Sequence, residues 1–189
     1  MEVFEALLKR YSCNEYSDTE VSRDLILKLI DAATWAPNHK MTEPWRFHVI
    51  AGEERGRFGN ALADWMLSDE SPDPPDDDVV GWARVILMRT PATIVVTQKR
   101  TMLPNDTTDL EDYASCSCAT QNLMLAAYAE GLGTKWITGR FSRNGGATKF
   151  LSLDDDDRIV GYIWLGYPKN DGPTEERTRK GPEIDWYGI

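Results

Sequence analysis

The residues best able to do chemistry lie in two short stretches near the N-terminus. The first is "KRYSCN", which sets Lys9, Arg10, Ser12 and Asn14 close together. An arginine offers a planar fork matched to a phosphate, and a serine hydroxyl adds a short donor. The plainer reading is that a basic residue after a helix only favours the helix dipole. The second stretch is "APNHKMTEPWRF", Ala36 to Phe47. It holds His39, one of only two histidines in the chain, and Glu43, between a helix-stopping proline and a strand-like run. Several chemistries lack support. There is no G-x-S-x-G, Walker loop, G-x-G-x-x-G after a strand or H-E-x-x-H. Cys13, Cys116 and Cys118 are odd in number and have no two-pair spacing, which argues against a disulfide framework and a zinc site. On a helix, Cys116 and Cys118 point to different faces.

Elements that must position these residues follow from periodicity. Val3, Phe4, Leu7 and Leu8 form a helical stripe over 2–10. Thr19 or Ser22 caps a second helix, with Leu25, Ile26, Leu29, Ile30 and Ala33 on one face and Pro37 at its end. "RFHVIAG" alternates as a strand, in which His48 is an ordinary strand residue. Glu53 to Leu67 is an amphipathic helix. The acidic, Pro-rich stretch 68–78 is a solvated loop. "VVGWARVILM" is a short helix, and "ATIVVTQ" is a nearly continuous apolar strand, hence central. Residues 109–130 form the longest helix, apolar on most faces and ended by Gly131. "TKWIT" and "RIVGYIWLG" are further strands. The tail 169–189 is polar but ends in Trp186, Tyr187 and Ile189, which should dock somewhere.

With 189 residues and 41% hydrophobic content, the chain suits a single α+β domain with a real core. A net charge of −10 disfavours nucleic acid and anionic membranes as partners. The absence of a long apolar run or a signal-like N-terminus points to a soluble, cytoplasmic protein.

The order of motifs resembles the FMN-dependent nitroreductase family, in its short, minimal form. The resemblance is carried by "LLKRYSCNEYSDTEVSRDLILKLIDAATWAPNHKMTEPWRFHVI", then "CATQNLMLAAYAEGLGTKWITG", then "FLSLDDDDRIVGYIWLGYP", in register over nearly the whole chain. It implies one nitroreductase-like domain over 1–189, with a central mixed or antiparallel sheet flanked by helices. It also implies an intertwined homodimer with FMN at the interface and the 169–189 tail docked on the partner subunit. Arg10, Tyr11 and Ser12 would grip the FMN phosphate and ribityl chain. Position 14, where relatives often have a basic residue, is Asn14. His39 and Glu43 would reach the flavin across the interface, Glu43 standing where relatives often carry Gln. Ile137, Thr138 and Gly139 would lie along the flavin ring, and Lys180 would help hold the phosphate. NADH or NADPH would deliver hydride to flavin N5, and a small nitroaromatic, quinone or similar electron-poor acceptor would be reduced in a ping-pong cycle. No protein group would be catalytic, because the flavin carries the chemistry. The alternative is a non-catalytic FMN-binding protein that stores, delivers or senses flavin.

Overall fold

The computed structural model describes residues 2–74, 76–100, 108–173 and 178–188. The chain runs α1 (Val3–Lys9), α2 (Arg23–Thr34), β1 (Trp45–Ala51), α3 (Glu54–Met66), α4 (Asp77–Ile86), β2 (Ala92–Gln98), α5 (Asp109–Ala129), β3 (Gly133–Ile137), α6 (Gly145–Phe150) and β4 (Arg158–Gly166). Single 3-10 turns lie at His39–Met41, Leu87–Arg89 and Gly139–Arg143.

The strands form one sheet in the order β1-β2-β4-β3, with every named pairing antiparallel. Of the two expected forms, mixed or antiparallel, the described residues show the antiparallel one. The parallel component is reduced to an isolated bridge between Ser12 and Thr134. All residues of β2 are buried, as expected of a central strand covered on both faces. Alternation along the strands separates two cores. Val95, Tyr162 and Trp164 pack with Phe58 and Leu62 of α3 and with Val80 and Ala83 of α4. Ile94, Val96, Ile163 and Leu165 pack with Leu29 of α2 and Ala119, Leu123 and Ala127 of α5. Full burial of a side chain such as Phe58 or Leu123 contributes about 1.5–3 kcal/mol.

The helix ends follow local chemistry. Ser22 caps α2, its hydroxyl accepting from the Leu25 N–H. A reciprocal Thr108–Glu111 box opens α5, and Gly131 follows it at φ +78°. The acidic stretch 68–78 ends earlier as a loop than expected. Asp76 caps α4, and Asp77 and Asp78 form its first turn, where the helix dipole favours carboxylates. No described helix is long and apolar enough to cross a membrane. No group of His, Cys, Asp or Glu among the described residues is placed to hold a metal.

Candidate functional site: a polar cleft beside the edge strand

After α1 the chain is extended and hangs on β3. The Cys13 N–H donates to the Thr134 carbonyl at 2.9 Å, next to the Ser12–Thr134 bridge. Gly133 makes this approach possible, since a Cβ there would stand 2.7 Å from Cys13 Cβ. The Tyr16 hydroxyl donates back to the Cys13 carbonyl at 2.9 Å, closing the segment on itself. The result is a cleft of about 640 Å³. Arg10, Tyr11, Ser12 and Asn14 form one wall, and Asn170 and Gly172 form the other. The far wall is fitted to Tyr11: a Cβ on Gly172, at φ +87°, would lie 2.6 Å from the tyrosine ring.

The cleft sets a guanidinium and hydroxyl donors beside one carboxylate. Burial raises the Tyr11 phenol above its usual range, and burial likewise raises the Cys13 thiol, so both stay neutral near pH 7. Glu15 also lines the cleft, and its carboxylate accepts from the neutral Asn170 Nδ2 at 2.8 Å, which orients it and leaves its charge in place. Arg10 and Ser12 then present a guanidinium and a hydroxyl, a donor set suited to a phosphate monoester. The cleft volume lies within the range of small-molecule and cofactor sites.

The remaining sequence-predicted residues lie outside this cleft. His39 and Glu43 stand on the loop between α2 and β1. Its backbone enters the left-handed region at Lys40 (φ 56°), Met41 (φ 54°) and Glu43 (φ 44°), none of them glycine. Each such residue costs on the order of 1–3 kcal/mol, and such strain persists only where neighbours impose it. Two side chains do so here. Asn38 Oδ1 accepts from the Glu43 N–H at 3.0 Å, and Thr42 Oγ1 donates to Asp112 Oδ1 at 2.7 Å. Asp112 is 1% exposed on α5, and its Oδ2 has no hydrogen-bond partner. Ile137 ends β3, Thr138 follows it, and Gly139, at φ +81°, opens the next 3-10 turn. Lys180 lies in the exposed tail, 3.5 Å from Glu183, and does not line the cleft.

Other candidates resolve as structure. His48 bonds Thr97 Oγ1 at 3.1 Å within the sheet. Trp45 and Phe141 are buried in the two cores. The indole of Trp136 sits over Gly161, where a Cβ would come within 2.0 Å of its nitrogen. Cys116 is buried, and burial pushes its thiol up to about 12, while Cys118 is exposed, so the two do face apart. Asn170 and Gly172 were not singled out by sequence reasoning. The turn-forming run "KNDGP" carried the signal for them.

Comparison with known proteins identifies the family. The nitroreductase family model matches residues 7–167. The chain belongs to the nitroreductase family. A relative from Escherichia coli (strain K12), named "Putative NAD(P)H nitroreductase YdjA", is 29% identical over 172 residues, covering 89% of this chain and 90% of that protein. The crystal structure of a nitroreductase-like family protein from Bacillus cereus superposes with a TM-score of 0.79 at 29% identity, covering 95% of this chain and 92% of the other. A nitroreductase with bound FMN from Bacteroides fragilis NCTC 9343, 19% identical, shares the fold with a TM-score of 0.73 over 99% of each chain.

Proposed function

We propose that this nitroreductase-family protein is an FMN-dependent NAD(P)H oxidoreductase that reduces nitroaromatics, quinones or similarly electron-poor acceptors. The observation that carries the reading is the cleft. It joins Arg10 and Ser12 to the edge strand of the sheet and keeps its nearest phenol and thiol neutral. The family membership, the NAD(P)H in the name of the E. coli relative and the FMN in the B. fragilis structure support the same cofactors.

When bound, FMN supplies the redox chemistry, passing electrons from NADH or NADPH to the acceptor in alternating half-reactions. The chain's own residues bind and orient. Arg10 and Ser12 hold the phosphate, and Tyr11, backed by Gly172, walls the ribityl side. Ile137, Thr138 and Gly139 flank the ring. No protein nucleophile is needed, which fits buried thiols at Cys13 and Cys116 and a histidine, His48, committed to the sheet.

The site is completed by a second copy of the chain. His39 and Glu43, which lie off the cleft in their own chain, reach the flavin of the partner, and the tail beyond the cleft wall formed by Asn170 and Gly172 docks on that partner. Supporting this are large apolar side chains left exposed on α1 (Phe4, Leu8), at Trp35 beyond α2 and in the tail (Trp186, Tyr187). Trp35 is 81% exposed, unusual for so large an apolar group on an isolated domain.

The test is anaerobic. Protein loaded with FMN should bleach on addition of NADH or NADPH and regain colour on addition of a nitroaromatic or quinone. Tight FMN binding with no bleaching by either nicotinamide would replace the enzyme reading with that of a flavin-binding protein.

A further inference from the structure

We propose that Lys135 supplies the cation that the segment after Ser12 lacks at Asn14, and that its charge would act on the ring end of a bound flavin. The inference rests on the flavin reading above. Lys135 Nζ donates to Asn14 Oδ1 at 2.7 Å, and Asn14 is part of the cleft wall. The same ammonium stands 5.2 Å from the centroid of the Trp164 ring. Both partners hold the ammonium without cancelling its charge: one is a neutral amide oxygen, the other an aromatic face. An aspartate at position 14 would have neutralised it.

The register places this charge along the site. Lys135 pairs with Trp164 and Ile137 with Tyr162, so Lys135 and Ile137 project from the same face of β3. Ser12 bridges to Thr134, the residue just before the lysine. Along β3 the order is therefore the phosphate-holding segment, then Lys135, then the residues assigned to the ring, Ile137 to Gly139. The lysine lies on the ring side of Arg10 and Ser12. Tyr11 and Cys13 are held neutral, while the Glu15 carboxylate keeps its charge against the neutral Asn170 amide, so Lys135 acts on the cofactor alongside that carboxylate. A fixed positive charge at that place favours the more negative, reduced form of the cofactor over the oxidised one. That differential affinity is a rise in reduction potential.

Three variants test this. Lys135→Met keeps an unbranched stem against Trp164 and removes the charge. Lys135→Arg keeps a charge. Lys135→Met combined with Asn14→Lys returns an ammonium from the other side of the same hydrogen bond. The readouts are the affinities for FMN and for riboflavin and the midpoint potential of the bound flavin. Lys135→Met is expected to lower the preference for reduced over oxidised flavin about tenfold, which is about 30 mV for a two-electron couple. It should weaken FMN and riboflavin by the same factor. Lys135→Arg and the double variant should restore the potential. An unchanged potential with FMN alone weakened would reassign Lys135 to the phosphate and overturn the proposal. No change in either readout would reduce the Lys135–Asn14 bond to a surface contact and overturn it too. A wild-type protein that takes up no FMN would remove the flavin reading and this inference together, whereas the other two failures leave that reading standing.

Discussion

The cleft at residues 10–15 and the loop at residues 38–43 are both proposed to touch the cofactor, but they are held in opposite ways. The cleft segment is held by backbone, through the Cys13 N–H on the Thr134 carbonyl and the Ser12 bridge to β3. Its side-chain bonds, the Tyr16 hydroxyl on the Cys13 carbonyl and Lys135 on Asn14, add to a backbone that is already fixed. The loop is held by side chains, through Asn38 on Glu43 and Thr42 on a buried Asp112, against a backbone with three left-handed residues that are not glycine. A backbone-held segment can lose a binding side chain and keep its fold. A side-chain-held segment couples its fold to single residues.

The sharpest contrast comes from Arg10→Ala. FMN binding should weaken by about 1.5–3 kcal/mol, the worth of a hydrogen bond to a charged group, a loss larger than any fall in the stability of the FMN-free protein. Isothermal titration beside a thermal melt checks both halves. In the loop the signature reverses. Thr42→Val leaves the Asp112 carboxylate buried with neither oxygen partnered, and stability should fall by about 1–3 kcal/mol in a urea titration. Thr42→Ser keeps the hydroxyl and should stay within about 0.5 kcal/mol of the wild type. Equal losses from Val and Ser would mean that the tether does not hold the loop.

Gly133→Ala attacks the backbone support of the cleft without touching a donor. Its Cβ would collide with the Cβ and Sγ of Cys13, so the segment must shift off β3, at a cost of about 1–3 kcal/mol typical of overpacking. FMN affinity should fall with stability, unlike in Arg10→Ala. The smallest effect belongs to Met41→Gly. Glycine accepts a φ of 54° without steric cost but loses more entropy on folding, and the balance should be a gain of about 0.5 kcal/mol. A loss there would show that the exposed methionine side chain contributes more than its backbone strain costs.

Much of the fold was legible because it rests on local pattern. The alternation in "RFHVIAG", the unbroken apolar run "ATIVVTQ" and the small-residue helix after Thr108 each specify an element whatever surrounds them. The cap at Ser22 and the stop at Gly131 carry their own chemistry. The strain at Lys40, Met41 and Glu43 was not legible, because no glycine or asparagine marks it and the tether at Asp112 is 70 residues away. Lys135 was passed over for the same kind of reason. As a lone lysine in "GTKWITG" it has no pattern, and its meaning arises only when antiparallel pairing sets it over Trp164 and beside Asn14. For the candidate site, "KRYS" could be singled out in the sequence, while the opposing wall at Asn170 and Gly172 became visible only once the chain returned from β4 to Tyr11.

The central claim is that the cleft holds a flavin by its phosphate, and paired titrations of the wild-type protein with FMN and with riboflavin test it most directly. The two ligands share a ring and ribityl chain and differ only in the phosphate. The account predicts that FMN binds at least about tenfold more tightly, the factor that follows from one charge-assisted hydrogen bond of about 1.5 kcal/mol. It also predicts that Arg10→Ala closes most of the gap. Equal affinity for the two ligands, or no uptake of FMN at all, would contradict it.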